Sequence, residues 1–350
     1  MKKNLVAEML SLLAGIALFI IVIRLAGYEN LLGAVKGFSP IYSVYFLIVT
    51  GLLFLAATYR WKAVLAGQTV NIPLFTLVKY KLAIFCINYF TPSARLGGEP
   101  LKVVLLKKQN VKSSLAFASV VVDNFVGMGF DAIIGGVALI ILFFSSGGAA
   151  LGDARKLVLA LGVAALAVVA ASYLLLVKKK SVFSYILEIF GSLTRSRNKK
   201  FFAILQKKVA KTEFYMREIL SKKPRALLLA VFFAALSWPL TLLQYKLALL
   251  MIGVDASWLQ ILASVVILSF TTILPIPAAL GVQEAGQFTA FRLFSANPHT
   301  GIALSLVLRA KDALFLLLSF ITLSTGGIDI FKLAGKKFAH AFNSVNGKIK

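Results

Sequence analysis

Arg95 and Glu99 flank Gly97-Gly98 in a segment bounded by Pro92 and Pro100, and Glu284 follows Gly281 in a second segment that contains Pro275 and Pro277. A guanidinium offers a planar fork that matches phosphate oxygens, and glycine lets a ligand or another backbone approach closely. Pro100 suits the first turn of a helix running to residue 106, where free N–H groups and the helix dipole favour an anion. Glu99 has two open readings. It forms an ion pair with Arg95 that holds the segment, or it meets a cationic headgroup or a coupled proton. Glu284 has the same readings but no nearby cation in sequence, so it is the stronger candidate for substrate contact.

Three further groups of ionisable or polar residues stand inside apolar runs. Asn124, Gly127 and Asp131 recur at helical spacing on one face, with Asp123 beside them. They are candidates for substrate contact or for hydrogen bonds to a neighbouring helix. Arg309 and Asp312 are three residues apart and can pair on one helix face, with Lys311 directed elsewhere; Arg309 can instead reach phosphate. Lys79, Lys81 and Lys246 are expected to snorkel or to meet headgroups.

The elements that must hold these residues are membrane spans. Of 350 residues, 59% are hydrophobic and 15% charged, which excludes an ordinary soluble domain. The net charge of +25 does not point to nucleic acid, because Lys and Arg gather in segments that separate apolar runs. A single cysteine, Cys86, excludes an intramolecular disulfide, and His299 and His340 are too few for a histidine metal site. No metal and no cofactor is expected. Apolar runs at 5–23, 41–58, 115–144, 157–177, 226–249, 259–274 and 301–323 are each near the ~20 residues a spanning helix needs. The first of these reads as an uncleaved span rather than a signal peptide.

Charge sets the orientation. Residues 178–225 carry fourteen Lys or Arg against Glu188, Glu213 and Glu218, which places that stretch in the cytoplasm. Counting outward, both termini, the 59–73 loop, the turn at 107–112 and the 332–350 tail are also cytoplasmic, and the loops at 24–40 and 145–156 lie outside. Residues 74–106 then start and finish on the cytoplasmic side, although 33 residues give only ~50 Å of helix. This segment should dip in and return. The stretch 259–293 should do the same from the opposite face, and a matched pair of such interruptions points to a site where two related halves meet. The expected architecture is an all-α polytopic bundle of about six full spans plus two inverted re-entrant hairpins. It forms a single membrane domain over 1–350 with pseudo-related halves at 1–177 and 226–331, a basic loop at 178–225 and a basic tail at 332–350.

The order of spans, the segment Thr91-Pro-Ser-Ala-Arg-Leu-Gly-Gly-Glu-Pro100, the segment Leu274-Pro-Ile-Pro-Ala-Ala-Leu-Gly-Val-Gln-Glu-Ala285 and the later Leu308-Arg309 resemble the flippase-like membrane domain of the lysylphosphatidylglycerol synthase transmembrane family. The resemblance covers most of the chain. It implies an integral membrane module that moves or holds a lipid, either an aminoacylated phospholipid or an isoprenoid-phosphate glycolipid. Where the family has an acidic residue followed by Arg after the first motif, this chain has Asp123-Asn124, a departure that bears on the headgroup.

Three function classes fit these residues. A flippase would use a cavity lined by Arg95, Gly97, Gly98, Glu99, Asp123, Asn124, Asp131, Gly281, Glu284, Arg309 and Asp312, with Pro92, Pro100, Pro275 and Pro277 shaping the hairpins. A membrane-embedded transferase would need Glu99, Asp123 or Glu284 as its carboxylate. The longest hydrophilic stretch is too short for a soluble aminoacyltransferase domain, which argues against an enzyme of that kind. A scaffold would use the interruptions for packing alone. The expected partners are membrane lipid, anionic headgroups at the basic loop and a separate lipid-modifying enzyme. Small residues in the spans leave room for self-association.

Overall fold

The computed structural model describes residues 38–91, 97–145, 154–177, 199–271, 274, 276–294 and 296–325. The expected span at 5–23, Pro92, Arg95, Pro275, the basic residues at 178–198 and the 332–350 tail lie outside them. The described residues form ten α-helices and one 3-10 turn: α1 Pro40–Gly67, α2 Leu74–Phe90, α3 Glu99–Lys108, α4 Ser113–Phe144, α5 Ala154–Val177, α6 Lys199–Lys222, α7 Pro224–Met251, α8 Trp258–Thr271, the 3-10 turn Pro277–Ala279, α9 Val282–Leu293 and α10 Pro298–Thr325. There is no strand among them. Three of these helices, α1, α4 and α7, are long and apolar enough to cross a membrane. The protein is a helical membrane protein.

The helix starts follow from local sequence. Pro40 opens α1 and Pro224 opens α7, and α3 has a proline in its first turn, the place where a missing N–H costs least. One sequence expectation fails here. The polar run from Tyr59 reads as a loop, yet α1 continues nine residues past Thr58 to Gly67. The reason is burial: Trp61, Val64 and Leu65 are almost wholly enclosed, and Arg60 faces a carboxylate within the bundle. Charge at a span end does not end a helix when the charge has a partner inside.

Helix α1 packs along α7 in antiparallel fashion. The Ser39 N–H bonds to the Met251 carbonyl, Gln244 Nε2 donates to Thr50 Oγ1 at 2.6 Å, Tyr59 stacks on Phe233, and Gly67 abuts Ala226. Helix α10 runs parallel to α1. Its residues Ala303, Leu304 and Leu308 share a core with Phe46 and Val49, Phe315 meets Phe54, and Leu323 packs with Trp61 and Leu65. Helix α4 runs the other way, with Asp123 level with Arg60 and Asp131 level with Trp238.

Two helical hairpins complete the bundle. In the first, Gly98 meets Asn88 and Gln109 meets Tyr80, so α3 folds back along α2. In the second, Gly286 touches Thr271 and Ile267, Gln287 Nε2 donates to the Ser264 carbonyl, and Phe291 shares a core with Ile261, so α9 folds back along α8. At 1.5 Å per residue the four arms are about 15–26 Å long, each shorter than the ~30 Å hydrocarbon core. Helix α6 lies on α4 and α7, burying Met216 and Ile219 against Val122 and Ala230.

Candidate functional site

The first hairpin ends in a cluster of ionisable side chains drawn from four helices. Arg60 on α1 gives its Nε to Asp123 Oδ1 at 2.8 Å, and Lys102 on α3 reaches Asp123 Oδ2 at 3.2 Å and Glu99 Oε2 at 3.0 Å. Lys81 on α2 stands within electrostatic range of all four and donates to the Ala57 carbonyl at 2.6 Å. Asp123 is wholly buried, and Lys102 nearly so. Three basic side chains face two carboxylates, and the ion pairs themselves, Arg60 and Lys102 with Asp123 and Glu99, balance.

Glycine shapes this cluster twice. A Cβ at Gly127 would lie 2.6 Å from Arg60 Nη1, so the guanidinium passes across the bare α-carbon on its way to Asp123. A Cβ at Gly98 would meet Ile84 Cγ2 at 2.8 Å and the Ile84 carbonyl at 2.9 Å. The Gly98 N–H instead bonds to Asn88 Oδ1 at 2.6 Å, which pins the start of α3 to α2. Glu99 thereby enters the first turn of α3, where a carboxylate interacts favourably with the dipole.

The second hairpin builds a separate station. Arg309 on α10 donates its Nε to Glu284 Oε1 at 2.9 Å, and its Nη2 lies 3.4 Å from Glu284 Oε2. The same guanidinium donates Nη1 to the Ala278 carbonyl and Nη2 to the Ala279 carbonyl at 3.1 Å. Ala278 and Ala279 have φ of 54° and 48°, a left-handed conformation that costs about 1–3 kcal/mol at a non-glycine residue. Hydrogen bonds to a charged group contribute about 1.5–3 kcal/mol each, so Arg309 offsets the strain it sits against. Glu284 is wholly buried in the first turn of α9. A Cβ at Gly301 would lie 2.2 Å from the Gln287 carbonyl, so glycine is what lets α10 approach α9 closely enough for Arg309 to arrive.

The two hairpins meet. Helix α2 packs on the Pro277–Ala279 turn, and Tyr89, near the end of α2, lies within electrostatic range of Arg309. Between the stations Phe315 touches both Phe54 and Phe85, at centroid separations of 5.3 and 5.6 Å.

Several sequence-derived pairings change. Arg309 takes Glu284, not Asp312, and Asp312 takes Lys311 at 3.3 Å, so Lys311 does not point elsewhere. Burial decides this: a wholly enclosed carboxylate requires a cation, and α10 brings one from 25 residues away. Glu284 is thus not the partnerless carboxylate its sequence suggests. Glu99 pairs with Lys102. Asp131 accepts from Trp238 Nε1 at 3.0 Å, the neighbouring-helix reading of that residue, yet it stays exposed on the bundle surface. Lys246 pairs with Asp255 and lies over the Trp258 ring. Gly97 and Asn124 are half-buried, Gly281 has φ of 74° and caps α9, Pro100 lies in the first turn of α3, and Pro277 opens the 3-10 turn. Sequence reasoning missed Arg60 and Lys102 and assigned Lys81 no site. The available signal was that each is an ionisable residue within reach of an apolar span and in need of a partner. Among the described residues no group of His, Cys, Asp and Glu could hold a metal.

A family model for the lysylphosphatidylglycerol synthase TM region matches residues 9–319. A UPF0104 membrane protein of Pyrococcus horikoshii is 24% identical over 342 residues, covering 92% of this chain and 96% of the relative. A UPF0104 membrane protein of Methanothermobacter thermautotrophicus is 22% identical over 329 residues, covering 90% and 91% respectively. With its long apolar helices and a match over nearly its whole length, this chain is an integral, multi-pass membrane protein that belongs to the lysylphosphatidylglycerol synthase TM region family.

Proposed function

We propose that the protein is a lipid flippase-like translocator that hands an anionic or aminoacylated headgroup, or an isoprenoid phosphate, between two charged stations. The observation that carries this reading is the pair of buried ion clusters, one at each interruption, inside an apolar bundle. Ionisable residues at membrane depth are costly and mark substrate paths. Arg60 lies six residues beyond Phe54 towards the Gly67 end of α1, and Arg309 six residues before Phe315 on the parallel α10. At 1.5 Å per residue the stations are therefore about 18 Å apart along the bundle. The contact of Phe54, Phe85 and Phe315 stands between them, and Asp131 is exposed at mid-length of the bundle.

In this reading the hairpins are re-entrant and the halves at 1–177 and 226–331 are an inverted repeat. Antiparallel α1 and α7 correspond, as do the hairpins α2–α3 and α8–α9 and the helices α4 and α10. With the Gly67 end cytoplasmic, the first station faces inward and the second outward. The first station's basic side chains, Arg60, Lys81 and Lys102, receive the phosphate, and the carboxylates Glu99 and Asp123 give an aminoacyl ammonium a counter-ion. Half-helix starts aimed at a central site are the arrangement that inverted-repeat transporters use for anionic groups.

The test is reconstitution in vesicles with fluorescent phosphatidylglycerol, a lysyl-modified analogue and a polyprenyl phosphate analogue, reading both sidedness and lipid mass. Movement without mass change is the expected result. A new covalent product would replace this reading with a membrane transferase, and neither movement nor product would leave a scaffold.

A further inference from the structure

A cavity lies apart from both stations, at the Gly67 end of the bundle, where α1, the end of α6 and the start of α7 converge. It has a volume of about 430 Å³, within the range of small-ligand sites. Its floor is apolar, built from residues that include Ala63, Ala226 and Leu229, and Lys222, Lys223 and Arg225 line it without any carboxylate. Lys222, Lys223 and Arg225 are exposed, and no side chain caps the start of α7 at Lys223. The first-turn N–H groups of this 28-residue helix therefore add a fixed positive end to three exposed cations.

We infer that this cavity is a second lipid site, which holds one anionic phospholipid, with the phosphate at Lys222, Lys223 and Arg225 and the upper acyl chain on Leu229 and Ala63. Charge and polarity select this occupant together. A soluble anion would use the cations and the helix start but gain nothing from the floor, and a zwitterionic lipid would use the floor but bring a quaternary ammonium into a site of three cations. The floor continues into exposed apolar side chains on α7, Leu228, Val231 and Phe232, where the rest of the acyl chain would lie. This assignment does not depend on whether the protein moves lipid. It predicts a tightly held annular lipid about two helical turns from Arg60.

The experiment is lipid exchange on the full chain in detergent, scored by native mass spectrometry and by the shift in melting temperature on adding phosphatidylglycerol or phosphatidylcholine. Phosphatidylglycerol should remain as a single adduct and raise the melting temperature, and phosphatidylcholine should do neither. Each cation near a headgroup is worth about a fivefold change in affinity, so Lys222→Gln/Lys223→Gln/Arg225→Gln should weaken the adduct at least tenfold. Leu229→Asn, at an exposed position, should weaken phosphatidylglycerol but leave protection by inorganic phosphate unchanged. Equal retention of both lipids, an adduct that survives the triple variant, or competition by inorganic phosphate that Leu229→Asn fails to separate would each overturn the site.

Discussion

Asp123→Asn removes one carboxylate from a buried group of three basic side chains and two acids, and leaves Arg60 without its ionic partner. Both strong bonds to Asp123, from Arg60 at 2.8 Å and Lys102 at 3.2 Å, lose their ionic partner at a site with no exposure. Breaking a buried pair in this way costs about 3–5 kcal/mol, because the remaining cations stay enclosed. Arg60→Gln in the same protein removes the cation left unpaired, so the double variant should recover about 1–3 kcal/mol relative to the sum of the single changes, a coupling typical of contacting residues. The assay is reversible unfolding in mixed micelles, run as a full double-mutant cycle. A loss below about 1 kcal/mol for Asp123→Asn, or strict additivity in the cycle, would refute the claim that this ion group organises α1, α3 and α4.

Gly127→Ala should displace the Arg60 guanidinium, which it would meet at 2.6 Å, and lower stability by about 1–3 kcal/mol as an overpacked site does; Arg60→Gln should remove most of that loss. Ala278→Gly should be neutral or stabilising by up to about 1 kcal/mol in thermal unfolding, the reverse of its effect in a helix, because its φ of 54° is relaxed for glycine. Arg309→Lys should lose the fork that joins Glu284 to the Ala278 and Ala279 carbonyls, and transbilayer movement should fall at least tenfold where a point charge would have sufficed to keep it. Full movement in that variant would argue for charge alone.

The sequence made some of this legible. Apolar length located α4, α5, α7 and α10 closely and the start of α1, since long runs of apolar residues in a membrane have one backbone solution. The break between Thr91 and Pro100 separates α2 from α3, and Asp123 and Glu284 are wholly buried carboxylates held in ion pairs. What could not be read was who pairs with whom. Local spacing favoured Arg309 with Asp312, but pairing is set by which helices pack, and α9 against α10 presents Glu284 instead. Arg60 was hidden for a related reason. A cluster of Tyr, Arg, Trp and Lys at a span end resembles a cytoplasmic boundary, and only the position of Asp123 on α4 shows that the helix carries Arg60 inward.

The central claim is that the Glu284–Arg309 station handles lipid rather than only holding the fold. It is tested most directly by the rate of transbilayer movement of fluorescent phosphatidylglycerol in vesicles containing wild type, Glu284→Gln, or Glu284→Gln/Arg309→Met, with the melting temperature of each measured alongside. The account predicts that the neutral double variant regains stability lost in Glu284→Gln while movement stays abolished in both. Wild-type movement in the stable double variant would contradict it and make the station a structural clasp.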